Sequence, residues 1–291
     1  ANSILEHVAI VGMNCRFPDG IETLSALWDI VREGRSVTRK VPFSRWDTDA
    51  VVTADRTLGD KARRRMADGC FVNNLELFDA KTFSISNAEA TVMDPQQRQL
   101  LECTLLTLAD AGDSLTSLRG QDVGVFVGIS TTDARDMQGG VGSNLGVYSA
   151  NGTSHATAAG RISYTFGFQG PCVAFDTACS SSLVALHAAK QSLQAYECTT
   201  ALVAGVNVML NPSQSKAYAV AGMTSPTGQC HTFDVAADGY CRAEGCAAIV
   251  LRRVKDIEGG RRSIHALVPG SSVKQDGVSA SLTAPNGASQ A

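Results

Sequence analysis

Cys172-Val-Ala-Phe-Asp-Thr-Ala-Cys179-Ser-Ser-Ser-Leu-Val-Ala-Leu-His187 changes character halfway along its length. The first half is apolar and β-prone, the composition of a buried strand. The second half opens with Ser180, Ser181 and Ser182, residue types that favour helix N-termini. After them Leu183, Leu186, Ala189 and Leu193 recur at spacings of three, three and four, which predicts one apolar face of a helix. Cys179 falls at the joint between the two. A thiol there meets unsatisfied backbone N–H groups and the positive end of a helix dipole, and both favour thiolate. The bland alternative is a small buried hydrophobe, the usual state of a free cysteine. The strand-to-helix context favours a nucleophile, without saying what is attacked.

Composition narrows the classes. The chain has 291 residues, room for a large core and one or two domains. Charged residues make up 18%, below the roughly 25% of an average soluble domain, which points to extensive burial in a layered core or an interface between chains. A net charge of −3 gives no electrostatic case for nucleic acid. No apolar run approaches the ~18 residues of a membrane span, and no charged-then-apolar leader is visible. The nine cysteines are scattered without framework spacing, so reduced thiols in an intracellular, cytoplasmic compartment are expected, with an organelle as the alternative. Cys230-His231 with Cys241 and Cys246 lacks the tight C-x₂-C pairs that zinc prefers, so no metal is expected.

Further strands are expected at Val8–Gly12, Val123–Ile129, Ala201–Val208, Cys246–Leu251 and from Ile264 to Gly270. Helices are expected over Glu22–Gly34, from Asp94-Pro95 to Gly112, over Thr153–Gly160 and over Asn211–Gly222. Asp94 reads as an N-cap with Pro95 in the first helical position. Arg35 to Asp79 reads as irregular, and its basic run Lys61-Ala-Arg-Arg-Arg-Met66 as a solvated loop. Ser130 to Gly152 reads as a long excursion, and Phe233 to Gly245 as a turn-rich loop whose Asp234, Asp238, Arg242 and Glu244 hold architecture. Continuous apolar strands alternating with helices predict a layered α/β domain with helices on both faces of a sheet. The opening at Ala1 and the stop at Ala291, after the turn-rich Thr283-Ala-Pro-Asn-Gly287, look cut from something longer.

The block Asp176-Thr-Ala-Cys179-Ser-Ser-Ser-Leu183 resembles the active-site signature of β-ketoacyl synthases, in the form typical of type I polyketide synthases and animal-type fatty acid synthases. Val11-Gly-Met-Asn-Cys-Arg-Phe-Pro18, Met93-Asp-Pro-Gln-Gln-Arg98, Ala159-Gly-Arg-Ile-Ser-Tyr164, Phe233-Asp through Asp238-Gly-Tyr, Gln275-Asp-Gly277 and Leu282-Thr-Ala-Pro-Asn-Gly287 are similar to the family's other blocks, in the family's order. The resemblance implies the thiolase-like αβαβα layered fold, with residues 1–260 as the nucleophile-bearing first half and 261–291 as the opening of the second. It implies a decarboxylative Claisen condensation. Cys179 would take an acyl group from a carrier-protein phosphopantetheine thioester, with its own backbone N–H as oxyanion donor, and a malonyl-type extender would supply the carbanion. Neither cofactor nor metal is implied. The implied partners are an acyl carrier protein and a second copy, paired through the strand near Cys172–Asp176.

Members of that family carry two histidines in the second half. His7, His155, His187, His231 and His265 match neither of their contexts, so no catalytic role is carried onto them; His187 is expected in the core and His231 in a loop. Departures from the family pattern are Cys172 in place of serine (read as an interior thiol), Ala243 in place of glycine, Lys274 in place of asparagine, and Val278 and Ala280 in place of polar residues. They leave the nucleophile intact and bear on substrate preference. The alternatives are a fatty acid ketosynthase, a non-catalytic homologue acting as a dimer or chain-length partner, and a cysteine hydrolase, which requires a histidine beside Cys179.

Overall fold

The computed structural model describes residues 6–55, 57–138, 146–257, 263–281, 284 and 286–290. Strand β1 (Val8–Arg16) leads through a short turn to helix α1 (Leu24–Glu33). A two-residue strand β2 (Arg39–Lys40), helices α2 (Thr48–Ala54) and α3 (Asp60–Arg65), and strand β3 (Asp68–Gly69) form a side structure. Helices α4 (Asn87–Val92), α5 (Pro95–Asp110) and α6 (Leu115–Leu118) precede strand β4 (Val123–Gly128). Helices α7 (Asp133–Gln138), α8 (Ser149–Gly152) and α9 (His155–Phe166) lead to strand β5 (Cys172–Phe175). Then come α10 (Ser181–Gln194), β6 (Thr200–Asn207), α11 (Ser213–Val220), β7 (Gly245–Arg253), β8 (Ala266–Val268) and α12 (Gly287–Gln290).

Six strands form one mixed sheet in the order β5-β4-β6-β7-β1-β8. Strand β4 runs parallel to both β5 and β6, while β7 is antiparallel to β6 and β1, and β8 is antiparallel to β1. Side chains alternate across the sheet, as pleating requires. Val125, Val127, Leu202, Ala204, Ala248 and Val250 pack with Leu100, Leu101 and Leu108 of α5 and Ile162 and Phe166 of α9. Phe126, Ala201, Val203 and Leu251 pack on the other face with Ala185, Ala189 and Leu193 of α10. The expected arrangement of helices on both faces of a sheet is present.

Several local expectations are corrected by packing. The first strand does not stop at Gly12 but runs on to Arg16 across a register shift between Ile10 and Gly12. A Cβ on Gly12 would lie 2.6 Å from the Thr107 carbonyl oxygen and 2.7 Å from Ala111 Cβ, so this glycine marks a close approach to α5 rather than an end. The caps of α1 are as expected, with Thr23 accepting from the Ala26 N–H and Gly34 in the left-handed conformation. Leu24, Leu27, Trp28 and Val31 recur at helical spacing in its sequence, yet Trp28 and Val31 are exposed and Ile30 is the buried residue. Asp94 caps α5 through the Gln96 N–H at 2.8 Å.

The stretch from Arg35 to Asp79 contains α2, α3 and a strand pair, and is not irregular. The basic run belongs to α3: buried Arg65 donates to the carbonyls of Gly222, Thr224 and Asp238. Helix α9 passes through Gly160, where a Cβ would meet open space, and ends at Gly167 with φ of +74°. Arg161 is therefore inside a helix, bonded to Gln97 and paired with Glu89 at 2.5 Å. The excursion from Ser130 to Gly152 carries α7 and α8, and its residues 139–145 lie outside the described ones. Strand β5 is not buried. It is an edge strand with Cys172 and Val173 exposed, so Cys172 is no interior thiol. Beyond Ser281, Leu282, Thr283 and Pro285 lie outside the described residues.

Candidate active site

Strand β5 and helix α10 are joined by Asp176, Thr177 and a single 3₁₀ turn over Ala178–Ser180, with Cys179 at its centre and exposed. Ala178, immediately before it, has φ of +53°, a left-handed conformation that costs a non-glycine residue ~1–2 kcal/mol. The surrounding side chains hold that turn. Asp176 Oδ1 accepts from the Ala178 N–H at 3.1 Å. Ser181 Oγ accepts from the Thr177 N–H at 2.9 Å and donates to the Ala178 carbonyl at 2.7 Å. Ser180 Oγ donates to the Thr177 carbonyl at 2.9 Å. Ser180 stands at the N-cap position of α10 but makes no side-chain cap hydrogen bond. The serine run thus clamps the preceding turn, where the sequence predicts caps.

Two glycines seat the first turn of α10 on the sheet. A Cβ on Gly128, the last residue of β4, would lie 2.5 Å from the Ser182 backbone nitrogen, and one on Gly205 of β6 would lie 2.8 Å from Ser182 Cβ. Nothing larger than hydrogen fits at either position, so the Cys179 turn sits directly above the strand ends. The sole sequence signal for this is a glycine inside each strand pattern.

Cys179 opens onto a cavity of about 680 Å³ between α10, the ends of β4 and β6, and β7. Leu183, Leu186, Val203 and Ile249 make much of its wall apolar, while Thr131, Asn207, Gln214, Tyr218, Tyr240 and Arg242 contribute polar groups. Leu183, expected on the packed face of its helix, is instead largely exposed at this cavity. Burial, then Tyr218, and to a lesser degree Cys179, push the Tyr240 phenol up, against the opposing effect of Arg242.

A buried polar frame holds this wall. Glu244 has no exposed side-chain surface. Its carboxylate accepts from Arg45 Nε at 2.7 Å and Nη2 at 2.8 Å, from the Val72 N–H at 2.8 Å and from the Met209 N–H at 3.1 Å. Arg242 donates to Ser215 Oγ at 2.5 Å and Gln214 Oε1 at 2.6 Å, with its guanidinium 5.3 Å from the Tyr218 ring centroid. Asn207 Nδ2 donates to the Ala243 carbonyl at 2.6 Å, and its Oδ1 accepts from Thr131. Asp133 accepts from the N–H groups of Leu210 and Asn211. Arg242 and Glu244 therefore hold architecture. Asp234 is exposed and accepts from the Ala236 N–H of its own loop at 2.7 Å, and half-buried Asp238 contributes its backbone carbonyl, which accepts from Arg65 at 3.0 Å.

None of the histidines among the described residues lines the cavity. His155 Nε2 lies 3.1 Å from the Thr131 carbonyl, half-buried His187 bonds Ser271, and His265 pairs with Asp110. Among the described residues no group of three or more His, Cys, Asp or Glu is placed to hold a metal ion. Cys246 is buried in the core beside α5, on the far side of the sheet from α10.

Comparison with known proteins follows the same lines. The family model described as β-ketoacyl synthase, N-terminal domain, matches residues 5–257. The chain belongs to the β-ketoacyl synthase family. It is 44% identical over 289 residues to a phenolphthiocerol/phthiocerol polyketide synthase protein of Mycobacterium tuberculosis, a match that covers 98% of this chain and 13% of that protein. Among solved structures, a ketosynthase from module 6 of the bacillaene synthase of Bacillus subtilis 168 superposes with a TM-score of 0.88 at 36% identity, over 98% of this chain and 47% of that one. The oxazolomycin ketosynthase domain of Streptomyces albus JA3453 gives 0.86 at 32% identity, over 98% and 48%. The synthase family's layered α/β fold is the fold of this chain, which spans less than half the length of those ketosynthases.

Proposed function

We propose that this chain is the nucleophile-bearing part of a polyketide-type β-ketoacyl synthase, with Cys179 as the acyl acceptor. The observation that carries the reading is the clamped left-handed turn that holds an exposed cysteine at the N-terminus of α10 over a cavity. The Cys179 sulfur attacks the carbonyl of a phosphopantetheine thioester. Its C–S bond forms, the pantetheine C–S bond breaks, and that thiol leaves with a proton. The negative charge that develops on the carbonyl oxygen meets the positive end of α10 and the Cys179 backbone N–H. A malonyl-type extender then loses CO₂, its carbanion attacks the acyl-enzyme, and the Cys179 thiolate is released.

The half-apolar cavity suits an acyl chain beside the thioester. The reading takes no cofactor or metal. It requires a carrier protein and a second structural half, entered near residue 260, to bring the histidines that this cavity lacks. The cytoplasm is the proposed compartment, and among the described residues no helix is long and apolar enough to cross a membrane. The same absence of a histidine at the cavity weighs against a cysteine hydrolase. The test is intact-protein mass spectrometry after incubation with an acyl-pantetheine thioester. One acyl mass is expected on the protein carrying its second half and none on the same protein with Cys179→Ala, while the 291-residue chain by itself is acylated poorly or not at all. Undiminished acylation of C179A would overturn the assignment.

A further inference from the structure

Cys70 and Cys241 stand with their sulfurs 3.8 Å apart. They are 171 positions apart in sequence, and the backbone brings them together. The Cys70 N–H donates to the Arg242 carbonyl and the Glu244 N–H to the Cys70 carbonyl, both at 2.9 Å, as in a parallel bridge. The segment after β3 is thereby held alongside the loop that begins at Cys241. Thr38 Oγ1 lies 3.7 Å from each sulfur. A disulfide needs the sulfurs to close to about 2.05 Å, a movement two side-chain torsions can share. Both cysteines are half-buried, and Cys241 lines the cavity, which gives a small reagent a way in.

The two thiols are not equivalent. The Cys241 S–H, opposed by burial and aided by Thr38 and Arg39, holds Cys70 below the ordinary thiol range. Cys70 in turn, followed by burial, pushes Cys241 up. Cys70, with the Arg39 charge beside it, is the thiol assigned to attack, and Cys241 the one assigned to resolve. By contrast, Cys103 and Cys246 are each buried, and no reagent reaches them from the cavity.

We propose that Cys70 and Cys241 are a reversible disulfide-forming site for small-molecule disulfides of the oxidised glutathione class, and that the bond staples the Tyr240–Glu244 wall of the cavity to the segment after β3. The Cys70 thiolate attacks one sulfur of the reagent, forms a mixed disulfide and releases one thiolate. Cys241 loses its proton and attacks the Cys70 sulfur, which forms the protein disulfide and releases the second thiolate. Two protein thiols are oxidised by two electrons, and one disulfide is reduced to two thiols.

The test is oxidation of the protein with oxidised glutathione, alkylation of the remaining thiols with N-ethylmaleimide, and mass spectrometry of non-reduced peptides. A peptide pair linking Cys70 to Cys241 is expected, two hydrogens lighter than the sum of its parts and lost on treatment with dithiothreitol. In Cys241→Ser the glutathione adduct should accumulate on Cys70, and in Cys70→Ser most of Cys241 should carry N-ethylmaleimide. Linkage of Cys241 to Cys230, whose sulfur accepts from the Cys241 N–H at 3.1 Å, would overturn the pairing. So would full alkylation of both Cys70 and Cys241. Should a serine variant fail to fold, the wild-type peptide map alone decides. The cross-link is read whether or not Cys179 accepts an acyl group, so the two readings fail separately.

Discussion

At the scale of single residues, the conformation of Ala178 is the local cost of placing Cys179. Four side chains, from Asp176, Thr177, Ser180 and Ser181, hold the turn that an alanine would otherwise avoid. Glycine takes positive φ without that cost, at a loss in unfolded-state entropy of about 0.5–1 kcal/mol relative to alanine. Ala178→Gly is therefore expected to leave stability within about 1 kcal/mol of the parent, or to raise it slightly. It also loosens the placement of the thiol, so iodoacetamide alkylation of Cys179 should change rate while urea unfolding barely moves. An alkylation rate identical to the parent's would show that the strain does not position the sulfur. Glu244 is the opposite case, a buried carboxylate with four hydrogen-bond donors on it. Glu244→Ala leaves Arg45 without its partner and two N–H groups unpaired. Breaking a buried pair in this way costs about 3–5 kcal/mol, to be read by urea denaturation.

Among the elements, α10 depends on two strand glycines that its own sequence does not mention. Gly205→Ala puts a methyl 2.8 Å from Ser182 Cβ, and overpacking of this kind costs about 1–3 kcal/mol. The shift falls on the first turn of α10, so acylation of Cys179 should drop by more than the loss of folded protein accounts for; parallel losses would make Gly205 a stability residue only. The pairing of β1 with α5 carries a pH signature. Burial raises the pKa of Glu102, and Arg16, 2.7 Å away, opposes it. A carboxyl whose pKa is raised in the fold favours folding while protonated and loses that contribution as pH climbs through the raised value. Arg16→Met removes the opposing charge, so its stability deficit should be about 2 kcal/mol near pH 7 and smaller near pH 4. A deficit independent of pH would assign the loss to the Asn73 and Asn74 carbonyls that Arg16 also binds. What is legible in the sequence follows the same division. Helices α1 and α5 announce themselves through capping residues, which act locally. Helix α3 reads as a solvated loop because five of its six residues are charged and show no apolar period; Arg65 is buried by carbonyls from distant loops. Cys179 is legible because strand and helix signals meet there in one stretch. Tyr240, Asn207 and Asp133 do not read as neighbours of the site, because only the sheet topology brings them to it.

For the whole molecule, the edge at β5 is the surface through which the family resemblance implies pairing with a second copy. The N–H of Val125 donates to the Pro171 carbonyl and that of Ile129 to the Phe175 carbonyl. The ladder to β4 thus uses the odd-numbered residues of the strand, and the backbone groups of Cys172 and Ala174 point away from the sheet. An exposed strand with open donors and acceptors on one side is a template for another strand. The identical strand of a second copy satisfies it under two-fold symmetry. This is the pairing that the family resemblance implies for Cys172–Asp176, and it makes a defined demand on Ala174. Ala174→Pro removes the outward N–H and leaves the bonds to β4 in place, since proline is accepted on an edge where its missing donor faces away. If two copies pair through β5, light scattering behind size exclusion should show two chains for the parent and one for A174P, with unchanged far-ultraviolet circular dichroism. Two chains in both cases would move the interface elsewhere. In that event the apolar stretch Cys172–Phe175 needs a different cover, because an edge of that composition left bare is a site of aggregation.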